Sequence, residues 1–266
     1  MEFDGCAKAE EMPQFTATQS AGPGPITLPQ ASSGQQGTEI RGDRASIRIN
    51  VGCGSSPTPE WVNFDNSFTI RATRWPLVVP VLAKLRLLSP QSASLAQVAA
   101  ARNIRFANAA ARIPCASGSV SAVYSSHMIE HLDRGEAREF LAEVRRILRP
   151  GGVVRIAAPD IAGLVQNYLA TRDADGFIAA THMGLDRPAG LMAWLKWVLV
   201  GPRHHLWMYD GDSLAKLLHE AGFADVAIMP PGQTIMADPG RLDLAERAAE
   251  SVYVEAVQPW SATFSR

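Results

Sequence analysis

The segment Ile47-Arg48-Ile49-Asn50-Val51-Gly52-Cys53-Gly54 decides the fold class, because an apolar strand runs directly into a glycine-rich turn. Glycines at the carboxyl end of a parallel strand let backbone N–H groups approach a ligand closely. Asp65 ends the next predicted strand, where a carboxylate can hold both hydroxyls of a ribose. This pairing predicts a ligand that contains a nucleoside. A dinucleotide fingerprint would need a third glycine, but Ser-Ser-Pro follows Gly54.

The composition is that of an ordinary soluble protein. The chain has 266 residues, of which 47% are hydrophobic and 19% are charged, and its net charge is -1. We therefore expect one domain with extensions, and no overall field that would recruit nucleic acid. The cysteines Cys6, Cys53 and Cys115 form no C-x-x-C pair, and the first residues lack the apolar stretch of a signal peptide. Both observations predict a reducing, cytoplasmic location without a zinc ribbon.

Periodicity divides the chain into an extension, a domain and a short tail. Residues 1–45 are rich in Gly, Pro, Ser, Thr and Gln and are predicted to be disordered, and residues 259–266 form a tail. Alternating strands and helices over residues 46–258 predict an α/β fold with a mostly parallel, doubly wound sheet. Strands are expected at 46–51, 61–65, 104–107, 119–125, 153–157, 224–229 and 252–257, and helices at 77–88, 92–102, 134–148, 160–171 and 211–222. Pro150-Gly151-Gly152 is expected to end the helix at 134–148.

The link between the first two predicted strands is unusually short. About six residues separate Gly54 from the second strand, whereas a crossover that contains a helix needs at least about 10–12 residues. Six extended residues reach roughly 20 Å, which is enough to run back along a strand of about 17 Å. The first crossover helix is therefore expected to be shortened or absent.

A second group of motifs lies in the middle of the chain. It comprises Ser119-Val120-Ser121-Ala122-Val123-Tyr124-Ser125-Ser126-His127-Met128-Ile129-Glu130-His131-Leu132, then Leu148-Arg149-Pro150-Gly151-Gly152, then Ile156-Ala157-Ala158-Pro159-Asp160. Together with the glycine turn and the segment His205-Leu206-Trp207-Met208-Tyr209-Asp210, this resembles the class I S-adenosylmethionine-dependent methyltransferases over residues 46–258. The likeness is closest to the small-molecule branch that includes quinone-biosynthesis and glycan-cluster enzymes. It implies a Rossmann-like, seven-stranded sheet with an antiparallel C-terminal strand and a helical cover at about 161–205.

The resemblance also implies the cofactor, S-adenosyl-L-methionine, and the residues that bind it. Gly52 and Gly54 would hold the methionine end, Asp65 the ribose, and Asn108-Ala109 the adenine. The predicted cofactor site further includes Asn50, Cys53 and Ser125. Where the family usually carries acids, this chain has the neutral residues Asn50, Asn108 and Ser121. We therefore expect a less negative site around a cofactor whose sulfonium is cationic.

Methyl transfer to a hydroxyl needs a positioned base, and the sequence offers several histidines. His127 lies just beyond the fourth strand, where ligands collect in open α/β sheets, and it is the first candidate. A second set, His204, His205, Tyr209 and Asp210, could close over the acceptor. The run from His127 to His131 also matches the zinc motif H-x-x-E-H. No third ligand is evident downstream in a helix, so the sequence predicts no metal site. We expect His131 to have a core or capping role.

The expected activity is O-methylation of a sugar, a lipid-linked glycan or another small metabolite. Two alternatives stay open: a methyltransferase-like binding or scaffold protein without activity, and an NAD-dependent oxidoreductase. Residues 75–88 and 190–200 are apolar runs with basic residues nearby. Buried or covering helices are the favoured interpretation, and peripheral contact with a membrane that carries the acceptor is the other. The sequence does not indicate an oligomeric state.

Overall fold

The computed structural model describes residues 46–72, 98–99, 102–184, 190 and 204–260. The predicted extension at 1–45 and the helix at 77–88 lie outside these residues. So do most of the helix at 92–102, most of the apolar run at 190–200, residues 185–189 and 191–203 of the expected cover, and residues 261–266 of the tail.

Seven strands form one sheet in the order β3-β2-β1-β4-β5-β7-β6. β1 to β5 pair in parallel, and β7 is antiparallel to both of its neighbours, as predicted. The strands are β1 Ile47–Val51, β2 Val62–Asp65, β3 Arg105–Phe106, β4 Val120–Ser126, β5 Leu148–Pro159, β6 Ala224–Met229 and β7 Ser251–Val257. The helices in the described residues are α1 Phe68–Ala72, α2 Arg134–Ile147, α3 Ile161–Thr171, α4 Ala174–Thr181 and α5 Gly211–Glu220, with a 3-10 turn at Ile129–His131. None of these helices is long and apolar enough to cross a lipid bilayer.

Helix α2 shows how the sequence starts and places one of these elements. Asp133 caps it and accepts hydrogen bonds from the N–H groups of residues 135 and 136, while Glu136 bonds back to the Asp133 N–H. Its buried face packs against the sheet together with apolar residues of α5; the α2 residues are Ala137, Phe140, Leu141, Val144 and Ile147. One dominant apolar face of this kind is what the 3.6-residue period predicted.

The prediction that Pro150-Gly151-Gly152 ends α2 is wrong. The helix ends at Ile147, and β5 begins at Leu148 and runs through the Pro-Gly-Gly segment. The register shifts there, because Val120 pairs with Leu148 whereas Ala122 pairs with Val153. The three residues therefore belong to a bulge, and Gly151 adopts a φ of +74° that other residues rarely tolerate.

Residues 52–61, all of them described, contain no helix, which confirms the expected loss of the first crossover helix. Buried polar side chains organise this link instead. Asn50 Nδ2 donates to Thr58 Oγ1 at 3.0 Å, and Asn63 Oδ1 accepts from the Thr58 N–H at 2.8 Å. Asn63 Nδ2 also donates to the carbonyl oxygens of Thr58 and Trp61. Hydrogen bonds between side chains and backbone thus hold a path too short for a helix.

The connection between β6 and β7, residues 230–250, covers this face of the sheet. Met236 and Leu242 from the connection form a second core with Trp61, Tyr124 and Tyr253. Trp61 Nε1 donates to the carbonyl of Pro239 at 3.2 Å, and Tyr124 Oη donates to Glu246 Oε2 at 2.7 Å. A coil segment near the end of the domain therefore covers the face of the sheet that the first crossover helix would otherwise cover.

A fully buried ion pair fixes the connection to the sheet. Arg155 and Glu255 are both 0% exposed, with Arg155 Nη1 2.7 Å from Glu255 Oε1. The guanidinium also donates to the carbonyls of Gln233 and Leu244, at 2.9 and 2.7 Å. Glu255 accepts from Thr234 Oγ1 and from the Ile235 N–H, each at 2.7 Å. Both charges are thereby compensated and the 230–250 segment is anchored at several points.

Candidate active site

The carboxyl ends of the parallel strands bring the predicted site residues to one edge of the sheet. β2 ends at Asp65, β1 runs into Gly52, and β4 runs into His127. The antiparallel β7 starts at the same edge, where Ser251 pairs with Pro159. The strand order reverses between β1 and β4, and ligands bind at such a switch point in open α/β sheets.

The two glycines of the turn serve different purposes. Gly52 has a φ of +74°, and a Cβ placed there would lie 2.5 Å from Met128 Cγ. Gly52 is therefore required by the backbone and by the close approach of the chain after β4. Gly54 has a φ of +50°, but a Cβ there would meet no described atom within 4 Å. The turn is thus packed on the Met128 side and open at Gly54, as a ligand cradle needs.

Asp65 and the turn form one hydrogen-bonded unit. Asp65 is 8% exposed; its Oδ2 accepts from the Gly54 N–H at 3.0 Å and its Oδ1 accepts from the Ser67 N–H at 2.8 Å. A carboxylate has about four lone-pair sites, so both oxygens can still accept from ribose hydroxyls. The open cradle at Gly54 and this fixed carboxylate fit the nucleoside and methionine parts of S-adenosylmethionine.

The predicted adenine position lies beside Asp65. β3 pairs with β2 through Asp65 and Phe106, and Asn108 follows two residues later. Asn108 is exposed, and its Oδ1 accepts from the Ala110 N–H at 3.2 Å, while Ala109 is buried. The structure therefore brings Asn108 and Ala109 to the same edge of the sheet as Asp65.

Three other predicted cofactor residues are buried in or behind the turn. Asn50 is 2% exposed and bonds to Thr58, so its side chain belongs to the link between β1 and β2. Burial, reinforced by the charge of Asp65, raises the pKa of the Cys53 thiol to about 12, which makes it an unreactive packing residue. Ser125 lies in β4 and is buried, with no hydrogen-bond partner for its hydroxyl among the described residues.

His127 lies at the switch point in a strained conformation. Its φ is +48°, which costs a non-glycine residue about 1–3 kcal/mol and has to be held by its surroundings. The backbone N–H donates to the carbonyl of Ala157 at 2.9 Å. The ring Nε2 lies 2.8 Å from Ser251 Oγ, and Nδ1 lies 3.5 Å from Glu130 Oε1. The imidazole is thus placed between a hydroxyl and a carboxylate.

The second predicted set divides into site and structural residues. His205 is 9% exposed, with Nε2 3.9 Å from Glu130 Oε1. Burial lowers the pKa of His205; Glu130 opposes this effect, and His131 and His182 reinforce it. Tyr209 is fully buried, and burial raises its pKa while Arg134 opposes the rise.

Asp210 has a structural role. It caps α5 and accepts from the Ser213 N–H at 2.8 Å. Hydrogen bonds from the hydroxyl and the N–H of Ser213 lower the pKa of its carboxyl group. His204 contributes its carbonyl, which lies 3.1 Å from His131 Nδ1.

Sequence reasoning did not assign a role to three residues that the fold brings to this place: Glu130, His182 and Ser251. The H-x-x-E-H motif contains Glu130, but the motif does not indicate that this side chain is buried. The His182 ring packs edge-on against the His205 ring at 5.3 Å. His182 and Ser251 belong to no sequence motif, and only the tertiary fold brings them near residues 127–131.

Comparison with known proteins identifies the segment that carries this geometry. Residues 49–156 match the family model described as a methyltransferase domain. The matched segment contains the glycine turn, Asp65, Asn108 and His127, and it favours methyl transfer over the hydride transfer of the NAD-dependent alternative. No curated protein matches the chain.

Several solved structures are similar to this chain at low sequence identity. A SAM-dependent methyltransferase from Methanosarcina mazei is 12% identical, with a TM-score of 0.46, covering 82% of this chain and 95% of that one. An S-adenosylmethionine-dependent methyltransferase from Mesorhizobium loti is 16% identical, with a TM-score of 0.38, covering 79% and 90%. The methyltransferase SibL in its apo form is 17% identical, with a TM-score of 0.39, covering 82% of this chain but only 51%, about half, of SibL.

Because these TM-scores are below 0.5, the assignment rests on the family match and on the observed sheet. The matched segment runs from β1 into β5 and ends in the strand that follows the switch point. Residues 49–156, less than half of the chain, are therefore similar to a methyltransferase domain, and this likeness supports S-adenosyl-L-methionine as the cofactor.

Proposed function

We propose that the protein is an S-adenosylmethionine-dependent methyltransferase that methylates a hydroxyl group of a sugar, a lipid-linked glycan or another small metabolite in the cytoplasm. The observation that carries the proposal is the row formed by the carboxylate of Glu130, the imidazole of His127 and the hydroxyl of Ser251. Nδ1 of His127 lies 3.5 Å from the carboxylate, and Nε2 lies 2.8 Å from the hydroxyl. A hydroxyl acceptor with a high pKa needs such a base, whereas a neutral amine does not.

The cofactor residues keep the roles that the family resemblance implies. The backbone of Gly52 and Gly54 would hold the methionine end, Asp65 the ribose, and Asn108 with Ala109 the adenine. When bound, the cofactor supplies a methyl group on an electrophilic sulfonium. The protein then has to align the acceptor oxygen and remove its proton.

His127 is suited to take that proton. The carboxylate of Glu130 can orient the ring and stabilise the imidazolium that forms, as carboxylate–histidine pairs do elsewhere. Ser251 Oγ already lies at hydrogen-bond distance from Nε2, which supports the idea that an acceptor hydroxyl could be held there. His205 and Tyr209 come from the segment next to the 3-10 turn and would close the acceptor site.

The test is a methyl-transfer assay with radiolabelled cofactor and panels of sugars, phenols, lipid-linked glycans and amines. We expect transfer to a hydroxyl acceptor, with turnover reduced roughly 10²–10⁴-fold by His127→Ala because the base is lost. Cofactor affinity, measured by calorimetry with S-adenosylhomocysteine, should be almost unchanged by this substitution.

Two controls separate the base from its surroundings. Ser251→Ala leaves the His127 ring in place, so its turnover should fall by less than about tenfold. His219→Ala removes an exposed histidine of α5 and should have no effect. Full activity of His127→Ala, or transfer to amines alone, would contradict the proposal.

A further inference from the structure

Five of the six histidines in the chain lie in one place. We name the group that they form with one carboxylate the Glu130 cluster; its members are Glu130, His127, His131, His182, His204 and His205. The cluster joins the 3-10 turn after β4 to the end of α4 and to the segment before α5. In contrast, His219 is exposed on α5.

Glu130 is the centre of the cluster, and its charge is not compensated by hydrogen bonds. The residue is 0% exposed, and neither carboxylate oxygen has a hydrogen-bond partner among the described residues. Its backbone carbonyl, by contrast, accepts from the N–H groups of Leu206 and Trp207 at 2.7 and 3.2 Å. A buried carboxylate without donors costs several kcal/mol, so this position calls for a cation.

We propose that Glu130, His131 and His205 bind one divalent transition-metal ion, for which Zn²⁺ is the best match. Glu130 Oε1 lies 4.0 Å from His131 Nε2 and 3.9 Å from His205 Nε2, and all three ligand atoms lie within 4.8 Å of one another. Ligand atoms around tetrahedral zinc, at bonds of about 2.0–2.2 Å, are roughly 3.3 Å apart. The three side chains therefore need to approach by about 1 Å, and the His131 side chain, 42% exposed, has room to move.

The outer contact of His131 is one that metal ligands have, whereas His205 Nδ1 has no hydrogen-bond partner among the described residues. His131 Nδ1 lies 3.1 Å from the carbonyl oxygen of His204. When Nδ1 carries the proton and donates to this carbonyl, Nε2 keeps its lone pair for a metal ion. Metal-binding histidines usually donate their other ring N–H to a carbonyl or carboxylate in this way. The His205 ring packs between those of His131 and His182, with centroid distances of 5.0 and 5.3 Å.

The ligand set decides which class of metal fits. Two imidazoles and one carboxylate suit zinc and neighbouring transition metals, whereas Mg²⁺ and Ca²⁺ prefer sites made of oxygen atoms. Three protein ligands also leave a further coordination position, as in catalytic zinc sites. Glu130 Oε1 faces all three histidines, and a carboxylate oxygen has two lone-pair sites, so it can bind a metal and remain in contact with His127. The sequence offered no third ligand in a helix; the fold supplies His205 from a coil segment.

The inference does not depend on the acceptor, so the experiment measures metal rather than activity. The full chain is stripped with EDTA, dialysed against Zn²⁺ or Co²⁺ and freed of excess metal. Bound metal is then counted by mass spectrometry and, for Co²⁺, examined by visible absorption. We expect close to one equivalent per chain, an intense visible Co²⁺ band, and a Tm that rises with Zn²⁺ concentration.

Matched variants assign the site. Glu130→Gln and His205→Ala should retain less than a tenth of the metal and lose the rise in Tm, whereas His219→Ala should keep the full equivalent. His131→Ala, at an exposed position, provides a second ligand variant should His205→Ala fail to fold, which far-UV circular dichroism would detect. Wild-type protein without stoichiometric metal would overturn the proposal. Full metal retention by folded Glu130→Gln would also overturn it.

Discussion

Glu255 and Glu130 are both completely buried carboxylates, yet their surroundings are opposite. Glu255 has an arginine, a hydroxyl and a backbone N–H as partners, each at 2.7 Å. Glu130 has three imidazole nitrogens at 3.5, 3.9 and 4.0 Å and no hydrogen bond to its carboxylate from the described residues. The first arrangement is complete without a ligand, and the second is not.

The difference separates the part of the molecule that maintains the fold from the part that we propose performs chemistry. Around Glu255 every partner also holds the 230–250 connection against the sheet. Around Glu130 the histidines are contributed by segments that meet at the carboxyl edge, where His127 has a strained backbone. Uncompensated groups and strain at the same edge are typical of functional sites.

The largest expected effect comes from breaking the complete arrangement. Glu255→Gln leaves Arg155 buried without its counter-charge, and we expect the free energy of unfolding to fall by about 3–5 kcal/mol. Urea denaturation followed by circular dichroism measures it. The double variant Arg155→Met, Glu255→Leu should recover part of the loss, because no lone charge remains. A loss below about 1 kcal/mol for the single variant would show that the pair contributes little.

Glu143 provides an intermediate case with a defined pH dependence. Burial alone would raise the pKa of its carboxyl group, but hydrogen bonds from Arg146 and from the Ile113 N–H outweigh burial, so the pKa is lowered. Its contribution is therefore complete above the pKa of the unfolded chain and is lost as the pH falls through the lower pKa of the folded state. Glu143→Gln should cost about 1–2 kcal/mol at neutral pH, with the difference from wild type disappearing in acid.

Urea denaturation at a series of pH values tests this expectation. Glu220→Gln is the matched control, because Glu220 forms an exposed pair with Lys216 at 3.9 Å that should contribute almost nothing. A pH-independent loss for Glu143→Gln would mean that its shape rather than its charge stabilises the protein.

The smallest effect is expected at Glu130 in the presence of EDTA. Glu130→Gln replaces one buried polar group without hydrogen-bond partners by another, so most of the burial penalty persists and the free energy of unfolding should change by no more than about 1 kcal/mol, in either direction. The same urea experiment measures this change. A loss of about 3 kcal/mol or more would indicate that a charged histidine already compensates the carboxylate, which would place Glu130 in the same class as Glu255.

Much of the fold was predictable from local patterns. The period of α2, the apolar strands and the short link after Gly54 depend on neighbouring residues, and the structure agrees with each. The error at Pro150-Gly151-Gly152 has a physical cause. These residues can end a helix or form a bulge, and only the pairing of Val120 and Ala122 with β5 decides between the two.

The site was predictable only where its residues lie in continuous motifs. The turn, Asp65 and His127 follow strands that the sequence marks, so their meeting at one edge could be expected. The burial of Glu130 and the approach of His182, His205 and Ser251 depend on contacts between distant segments. The sequence predicted no metal because no third ligand was evident in a helix. His205, the residue that approaches Glu130, lies in a coil segment instead.

The missing first crossover helix has a consequence for the order in which the chain can fold during synthesis. Trp61 and Tyr124 leave the ribosome early, but the side chains that cover them, Met236 and Leu242, lie more than a hundred residues later. A growing chain therefore exposes this apolar face until the β6–β7 connection has emerged, and the half-made domain resembles an aggregation-prone intermediate. The domain completes its fold only after its last hairpin is made, which makes truncation near residue 230 more damaging than the short length removed would suggest.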